Sequence, residues 1–355
     1  MSPRRPPIYK QKIYIFPAYV INSMGDLRVE VGIPTANNED TIGETLRTVV
    51  SQTRTPDRII IVDNSTDSTP EIINNIAEGT DVEIDVYPQS DSGNGVGRAR
   101  QDIYEKFRGD VLICLDTDNK VREDWIKNHV DFHRENSEFD ILSNTGGEGS
   151  SGPTNNPKDP DYFRQHNCSL TKEVLEDVGG WDPWFPRGED WDMRLRLWCA
   201  GANSYSKSEI NSKKIGSEGT GGMRELTKIW VNKKVSAPSS AFFLKKYGKW
   251  YLKFHPKHPI ADFLSFSSLM FLLVSPVALY YTPLLTTILL SFPLLSSFIY
   301  AYYKGPGQRD NFAVQKEDAI GAIVFFVLSI SFICSLIDLI RNKYSWNYGG
   351  FTLNS

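Results

Sequence analysis

Cysteine is scarce in this 355-residue chain, with four in all, and Cys114, Cys168, Cys199 and Cys334 lie too far apart to form a CxxC pair. That excludes a disulfide-framed secreted fold and a zinc site, and it suits a reducing compartment. An excess of positive charge is also missing. Lys and Arg number 39 against 43 Asp and Glu, a net charge of −4, which argues against binding nucleic acid through overall basicity. Charge of either sign is absent from Phe263 to Tyr303 and again from Ala319 to Ile337. About 20 apolar residues cross a bilayer as a helix, so these stretches predict roughly three spans, 263–281, 284–303 and 319–340, with a turn at Tyr280-Tyr281-Thr282-Pro283. No internal repeat is found.

The rest divides by composition. Residues 1–27 read as an N-terminal extension whose short apolar run, broken by Pro17, neither spans a membrane nor resembles a signal peptide. Residues 28–235 have the mixed composition of a soluble domain and read as one domain. Residues 236–262, with Lys245, Lys246, Lys249, Lys253 and Lys257, read as a juxtamembrane interfacial segment, and 341–355 as a tail. Lysines ahead of the first span, with Lys304, Arg309 and Lys316 ahead of the third, place both regions on the cytoplasmic side of a cell membrane.

From Arg28 onward strand and helix patterns alternate. Val29–Ile33, Arg58–Val62, Val82–Tyr87 and Asp110–Leu115 read as strands, with helices at Asp40–Val50, from Ser68, and at Val96–Phe107. Such alternation implies an α/β fold with a doubly wound, mostly parallel sheet. Asp140–Ser143 reads as one more short strand. Gly146–Asp161 and Asn203–Gly222, both polar and rich in glycine, read as loops.

The strongest chemical signal is Asp116-Thr117-Asp118, directly after the apolar run Val111–Leu115. Two carboxylates at a strand's carboxyl end face the crevice where open α/β sheets bind ligands. Magnesium is typically held by one or two carboxylates plus substrate phosphates, so a metal–diphosphate is the implied ligand. Three further clusters fall at neighbouring strand ends. These are Pro34-Thr35-Ala36-Asn37-Asn38-Glu39, Asp63-Asn64-Ser65-Thr66-Asp67, and Ser92-Gly93-Asn94-Gly95-Val96-Gly97-Arg98. The last lacks GxGxxG spacing, yet it puts N–H groups and Arg98 at a helix start, where a phosphate would be welcome.

On these residues the chain resembles a family 2 glycosyltransferase with the nucleotide-diphospho-sugar transferase (GT-A) fold, from about Val29 to Ala202. The resemblance implies that Pro34, Thr35, Asn37 and Glu39 contact the nucleotide and that Asp63 meets the base. Asp116, with Thr117, would hold the ribose side, and Asp118, with Asp116, a divalent metal (Mg2+ or Mn2+). Asn167–Lys172 and Gly179-Gly180-Trp181-Asp182 resemble the acceptor-side segment, so Asn167, Trp181, Asp182 and Glu189 are expected there. Gly188-Glu189-Asp190-Trp191-Asp192 resembles the Glu-Asp motif, in which Asp190 is the base. One base and no covalent intermediate imply inversion at the anomeric carbon, with Arg98 and the metal neutralising the leaving diphosphate. The chain lacks the Gln/Arg-x-x-Arg-Trp motif of processive synthases. It is more similar to membrane-anchored transferases that glycosylate a dolichyl or polyprenyl phosphate or a lipid-linked sugar. A polysaccharide synthase and a non-catalytic membrane scaffold are the alternatives.

Overall fold

The computed structural model describes residues 27–93, 95–146, 151–157, 159–185, 188–216 and 246–247. The expected N-terminal extension up to residue 26, the juxtamembrane segment apart from 246–247, the three spans and the tail lie outside the described residues. Among the described residues no helix is long and apolar enough to cross a membrane. The site-bearing part belongs to the first of two compact units, Met1–Gly219, the second being Thr220–Ser355.

The unit is built on an eight-stranded sheet in the order β3-β2-β1-β4-β8-β6-β9-β7. Strand β1 (Val29–Thr35) pairs in parallel with β2 (Arg58–Asp63) and β4 (Val111–Leu115), and β2 pairs in parallel with β3 (Ile84–Pro88). All seven residues of β1 are buried, as expected where helices cover both faces of a parallel sheet. On one face Val29, Val31, Ile33, Ile59, Ile61, Ile113 and Leu115 pack in one cluster. Ile42, Leu46 and Val49 of α1 (Ile42–Val50) join it, with Trp125, Ile126 and Val130 of α4 (Trp125–Glu135). On the other face lies α3 (Gly95–Lys106), close enough that a Cβ on Gly32 would sit 2.5 Å from Ile103. Helix α2 (Thr69–Ala77) begins with Pro70 in its first turn, where a missing N–H costs nothing.

Beyond β4 the parallel order stops. Strand β8 (Asn167–Thr171) runs antiparallel between β4 and β6 (Ile141–Asn144), and β6 pairs in parallel with β9 (Ser204–Lys207). The segments expected as loops contain strands. Gly146–Asp161 contains β7 (Gly152–Thr154), paired antiparallel with β9. Asn203–Gly222 contains β9 and also β10 (Lys213–Lys214), which pairs antiparallel with β5 (Asn119–Lys120) directly after the Asp-x-Asp turn. Polar side chains hide these strands from the sequence: Ser169, Ser204 and Ser206 point inward and are satisfied there by hydrogen bonds. Helix α5 (Lys172–Val178) ends at Gly179, whose φ of 72° suits glycine at a left-handed cap. Helix α6 (Glu189–Ala200) carries Glu189, Asp190 and Asp192 in its first turn, at the positive end of its dipole.

Candidate active site

The first two strand-end loops are stitched into one wall. Thr35 and Asp63 are partners in the β1–β2 register. Asn37 takes a left-handed conformation (φ 55°), and its backbone N–H donates to Ser65 Oγ at 2.8 Å. Its side-chain oxygen accepts from the Thr66 N–H at 2.8 Å. Ser65 in turn donates through its hydroxyl to Asp63 Oδ1 at 2.6 Å, and Glu39 accepts from the Ser68 N–H at 3.1 Å. These bonds hold Asn37, Glu39 and Asp63 in fixed relation at the carboxyl edge of β1 and β2.

The Asp-x-Asp turn follows β4 at the same edge, one strand beyond β1. The Thr45 hydroxyl of α1 donates to the Thr117 carbonyl at 2.6 Å and pins the turn from beneath. Asp116 Oδ1 accepts from Arg100 Nη2 at 2.5 Å, an ion pair between a buried guanidinium and a carboxylate about one-third exposed. Asp118 Oδ1 accepts from Asn119 Nδ2 at 2.9 Å, and its Oδ2 from Lys214 Nζ at 2.5 Å. The backbone N–H of Asp116 donates to the carbonyl of His166 at 3.1 Å, which ties the turn to the residue just before β8.

The Glu-Asp motif is brought to this edge by α6. Glu189 is buried and accepts from Gln165 Nε2 at 2.7 Å. The same Gln165 accepts from Trp181 Nε1 at 2.6 Å, and the Trp181 N–H donates to Gln101 Oε1 at 2.7 Å. Burial, reinforced by neighbouring Asp190, pushes the Glu189 carboxyl up to about 7, while the Arg100 guanidinium pulls the other way. Asp116 also acts on Glu189, so Arg100 stands electrostatically between the Asp-x-Asp turn and the Glu-Asp motif. Asp190 is half-buried, with Oδ1 accepting from the Trp191 N–H at 2.8 Å. Of the two adjacent acids, Asp190 is the one solvent reaches.

Other expected site residues sit differently. The Arg98 guanidinium is occupied within its own helix, 2.5 Å from Asp102 Oδ1 and 2.9 Å from Glu105 Oε1. Arg100, which the sequence reading passed over, is the arginine that reaches the Asp-x-Asp turn. Gly97 has a packing role. A Cβ there would press on the backbone carbonyls of Phe185 and Asp182, the latter at 2.7 Å, so glycine lets the 182–185 segment lie against α3. Asn167 is wholly buried and bridges Trp125 Nε1 (3.0 Å) to the Ile210 carbonyl (2.7 Å), bracing β8 rather than lining a cleft. Trp181 and Asp182 are buried too. Trp181 braces Gln165, and Asp182 Oδ1 caps the turn by accepting from the Trp184 N–H at 3.0 Å. Gln165, Arg100 and Lys214 are the additions the structure makes, and their partners lie 16 to 96 positions away in sequence.

The residues present suit a hard divalent cation. Asp116 and Asp118 offer carboxylates each about one-third exposed, and one oxygen of Asp118 already holds a cationic group, the Lys214 ammonium. Among the described residues no cluster of three or more His, Cys, Asp or Glu is arranged for a metal, so phosphate oxygens of a ligand would have to complete the shell.

Fold and site together define an α/β nucleotide-sugar transferase fold of the GT-A type. Residues 30–181 match the family model "Glycosyl transferase family 2". A poly(ribitol-phosphate) beta-glucosyltransferase of Bacillus spizizenii is 28% identical over 129 residues, 36% of this chain and 20% of the relative. The probable glycosyltransferase YdaM of Bacillus subtilis is 32% identical over 96 residues, 26% of this chain and 23% of the relative. The matched stretch thus spans about a fifth of the length of these curated relatives. Among solved structures, the mannosyltransferase PcManGT of Pyrobaculum calidifontis, in complex with GDP-Man and Mn2+, is similar in fold. Its TM-score is 0.52 at 16% identity, over 89% of this chain and 88% of that one.

Proposed function

We propose that the chain transfers a sugar from a nucleotide-diphospho-sugar to a membrane lipid acceptor, a polyprenyl or dolichyl phosphate or a lipid-linked sugar, with inversion and with a divalent metal. The observation that carries this reading is that Asp63, Asp116 and Asp118 follow the carboxyl ends of parallel strands of one sheet, with Arg100 linking Asp116 to Glu189 at the start of α6. The Asn37–Asp63 wall takes the nucleoside, and Asp116 and Asp118 take the diphosphate end through a cation. When bound, that cation neutralises charge on the leaving diphosphate. Asp190, the more accessible acid of its pair, accepts the acceptor's proton, while Glu189, held by Gln165, fixes the start of α6. Where the acceptor is an ionised phosphate, deprotonation is unnecessary and Asp190 matters less.

The uncharged runs at 263–303 and 319–337 support membrane anchoring with the catalytic domain on the cytoplasmic side, and an anchored enzyme meets a lipid phosphate at the headgroup plane. The name of the Bacillus spizizenii relative favours a second reading, a polyol-phosphate polymer as acceptor. Full-length protein incubated with labelled nucleotide sugars, Mn2+ or Mg2+, and either membrane lipid extract or polyol-phosphate polymer separates the two. Label in a lipid fraction, absent with Asp118→Asn, supports the first reading. Label only in polymer replaces it with the second, and no transfer to either removes both.

A further inference from the structure

Lys214 belongs to none of the motifs, yet the fold places it against the carboxylate assigned to the metal. Strand β10 runs antiparallel to β5, pairing Lys214 with Asn119 and Lys213 with Lys120. The Ile215 N–H donates to the Asp118 carbonyl at 2.8 Å, and the Ser212 hydroxyl to Asn119 Oδ1 at 2.7 Å. Backbone pairing therefore sets the Lys214 Cα beside the Asp-x-Asp turn, and the ammonium reaches Asp118 Oδ2 at 2.5 Å. A lysine aimed this way is a tethered cation on the oxygen a divalent ion would need.

Resting on the assignment of Asp118 to the metal, we propose that Lys214 is an exchangeable counter-ion. It holds Asp118 while the donor is absent. When donor and divalent cation arrive together, it turns onto the donor's diphosphate. Direct contact of both cations with one carboxylate oxygen brings like charges within a few ångströms, which is unfavourable. A free metal ion must therefore displace the ammonium from Asp118 and supplies no anion in exchange. A metal bound to a nucleoside diphosphate brings the replacement anion with it. The exchange is within reach because the Lys214 side chain is about half exposed and flexible, and an exposed pair of this kind is weak. The backbone pairing of β10 does not use the side chain, so the strand stays in place while the ammonium moves. The expected behaviour is coupled binding: poor affinity for the metal alone, good affinity for metal and nucleotide together.

The test is Mn2+ binding to the full-length protein, followed by the paramagnetic resonance signal of free Mn2+, alone and with UDP or GDP. Lys214→Gln should bind Mn2+ alone about three- to fivefold more tightly than wild type, and should gain less from added nucleotide. Lys214→Arg, which keeps the charge, should stay near wild type. Lys213→Gln, on the same strand but paired across from Lys120, should change neither. Asp118→Asn should lose Mn2+ under every condition. If Asp118→Asn binds Mn2+ as wild type does, the metal assignment itself fails. If Asp118→Asn loses Mn2+ but Lys214→Gln binds it no more tightly than wild type, the assignment stands and the exchange is wrong.

Discussion

Two acids stand side by side at the start of α6, and their surroundings divide the work. Glu189 is buried, bonded to Gln165 and held up to about 7 by burial and by Asp190; Asp190 is only half-buried. A positioned base contributes about 10²- to 10⁴-fold to a rate. Asp190→Asn should therefore lower turnover by that order while nucleotide affinity, measured by calorimetry, stays within about twofold. Undiminished turnover would take the base role away from Asp190. Glu189 and Asp190 stood out in sequence through the resemblance of Gly188–Asp192 to the Glu-Asp motif, and α6 does start there. Their supporting cast did not. Arg98 and Arg100 both lie on α3, but at 3.6 residues per turn they point about 160° apart. Which of them faces the sheet depends on how the helix is rolled, and no local signal states that. Packing turns Arg100 toward Asp116 and leaves Arg98 to Asp102 and Glu105. Lys214 meets Asp118 across 96 positions, a pairing created only by the β5–β10 ribbon.

Among elements, the parallel half of the sheet was legible because β1, β2 and β4 are fully covered and so read as β-branched or apolar runs. Strands β8, β9 and β10 bury serines and asparagine or lie at an edge, and nothing in their composition separates them from loops. The glycine-rich entry to α3 shows how one sequence signal fits two physical causes. Glycines at a helix start suit phosphate binding, but they equally suit close backbone approach, and here the carbonyls of Asp182 and Phe185 lie where a Gly97 side chain would be. An alanine within a helix ordinarily stabilises by about 0.5–1 kcal/mol over glycine. At Gly97 the contact is with backbone, which cannot swing aside, and overpacking costs about 1–3 kcal/mol. Gly97→Ala should therefore lower Tm instead of raising it. It should also weaken donor-dependent turnover, because the displaced 182–185 segment leads into α6. A raised Tm in a thermal melt would show that the 182–185 segment is free to move.

Across the whole unit, two kinds of buried titrating group pull stability in opposite directions with pH. Burial holds His133 down to about 4, and holds His129 well below 6.5 with help from His133 and Lys207; both rings share the Ser169 hydroxyl at 2.8 Å. Below 6.5 the unfolded chain takes up protons that the folded rings refuse, so stability is complete above that value and falls as the pH drops toward 4. Glu189 acts in the reverse sense. Its folded carboxyl keeps a proton up to about 7, whereas the unfolded one releases it near 4.5, so the folded state loses stability as pH rises between these values and then levels off. Two histidines outweigh one glutamate on the acid side. The stability of the wild type should climb from pH 4 to a maximum near 6.5, then decline slightly and flatten above about 7. Glu189→Gln keeps an acceptor for Gln165 but carries no charge. It should remove the decline, leaving a plateau about 1–3 kcal/mol above wild type at pH 8. His133→Gln should flatten the acid limb instead. Thermal unfolding of both variants from pH 4 to 8 measures the two slopes separately. A wild type and Glu189→Gln with parallel profiles above pH 6.5 would mean that Glu189 is already ionised in the folded protein at neutral pH.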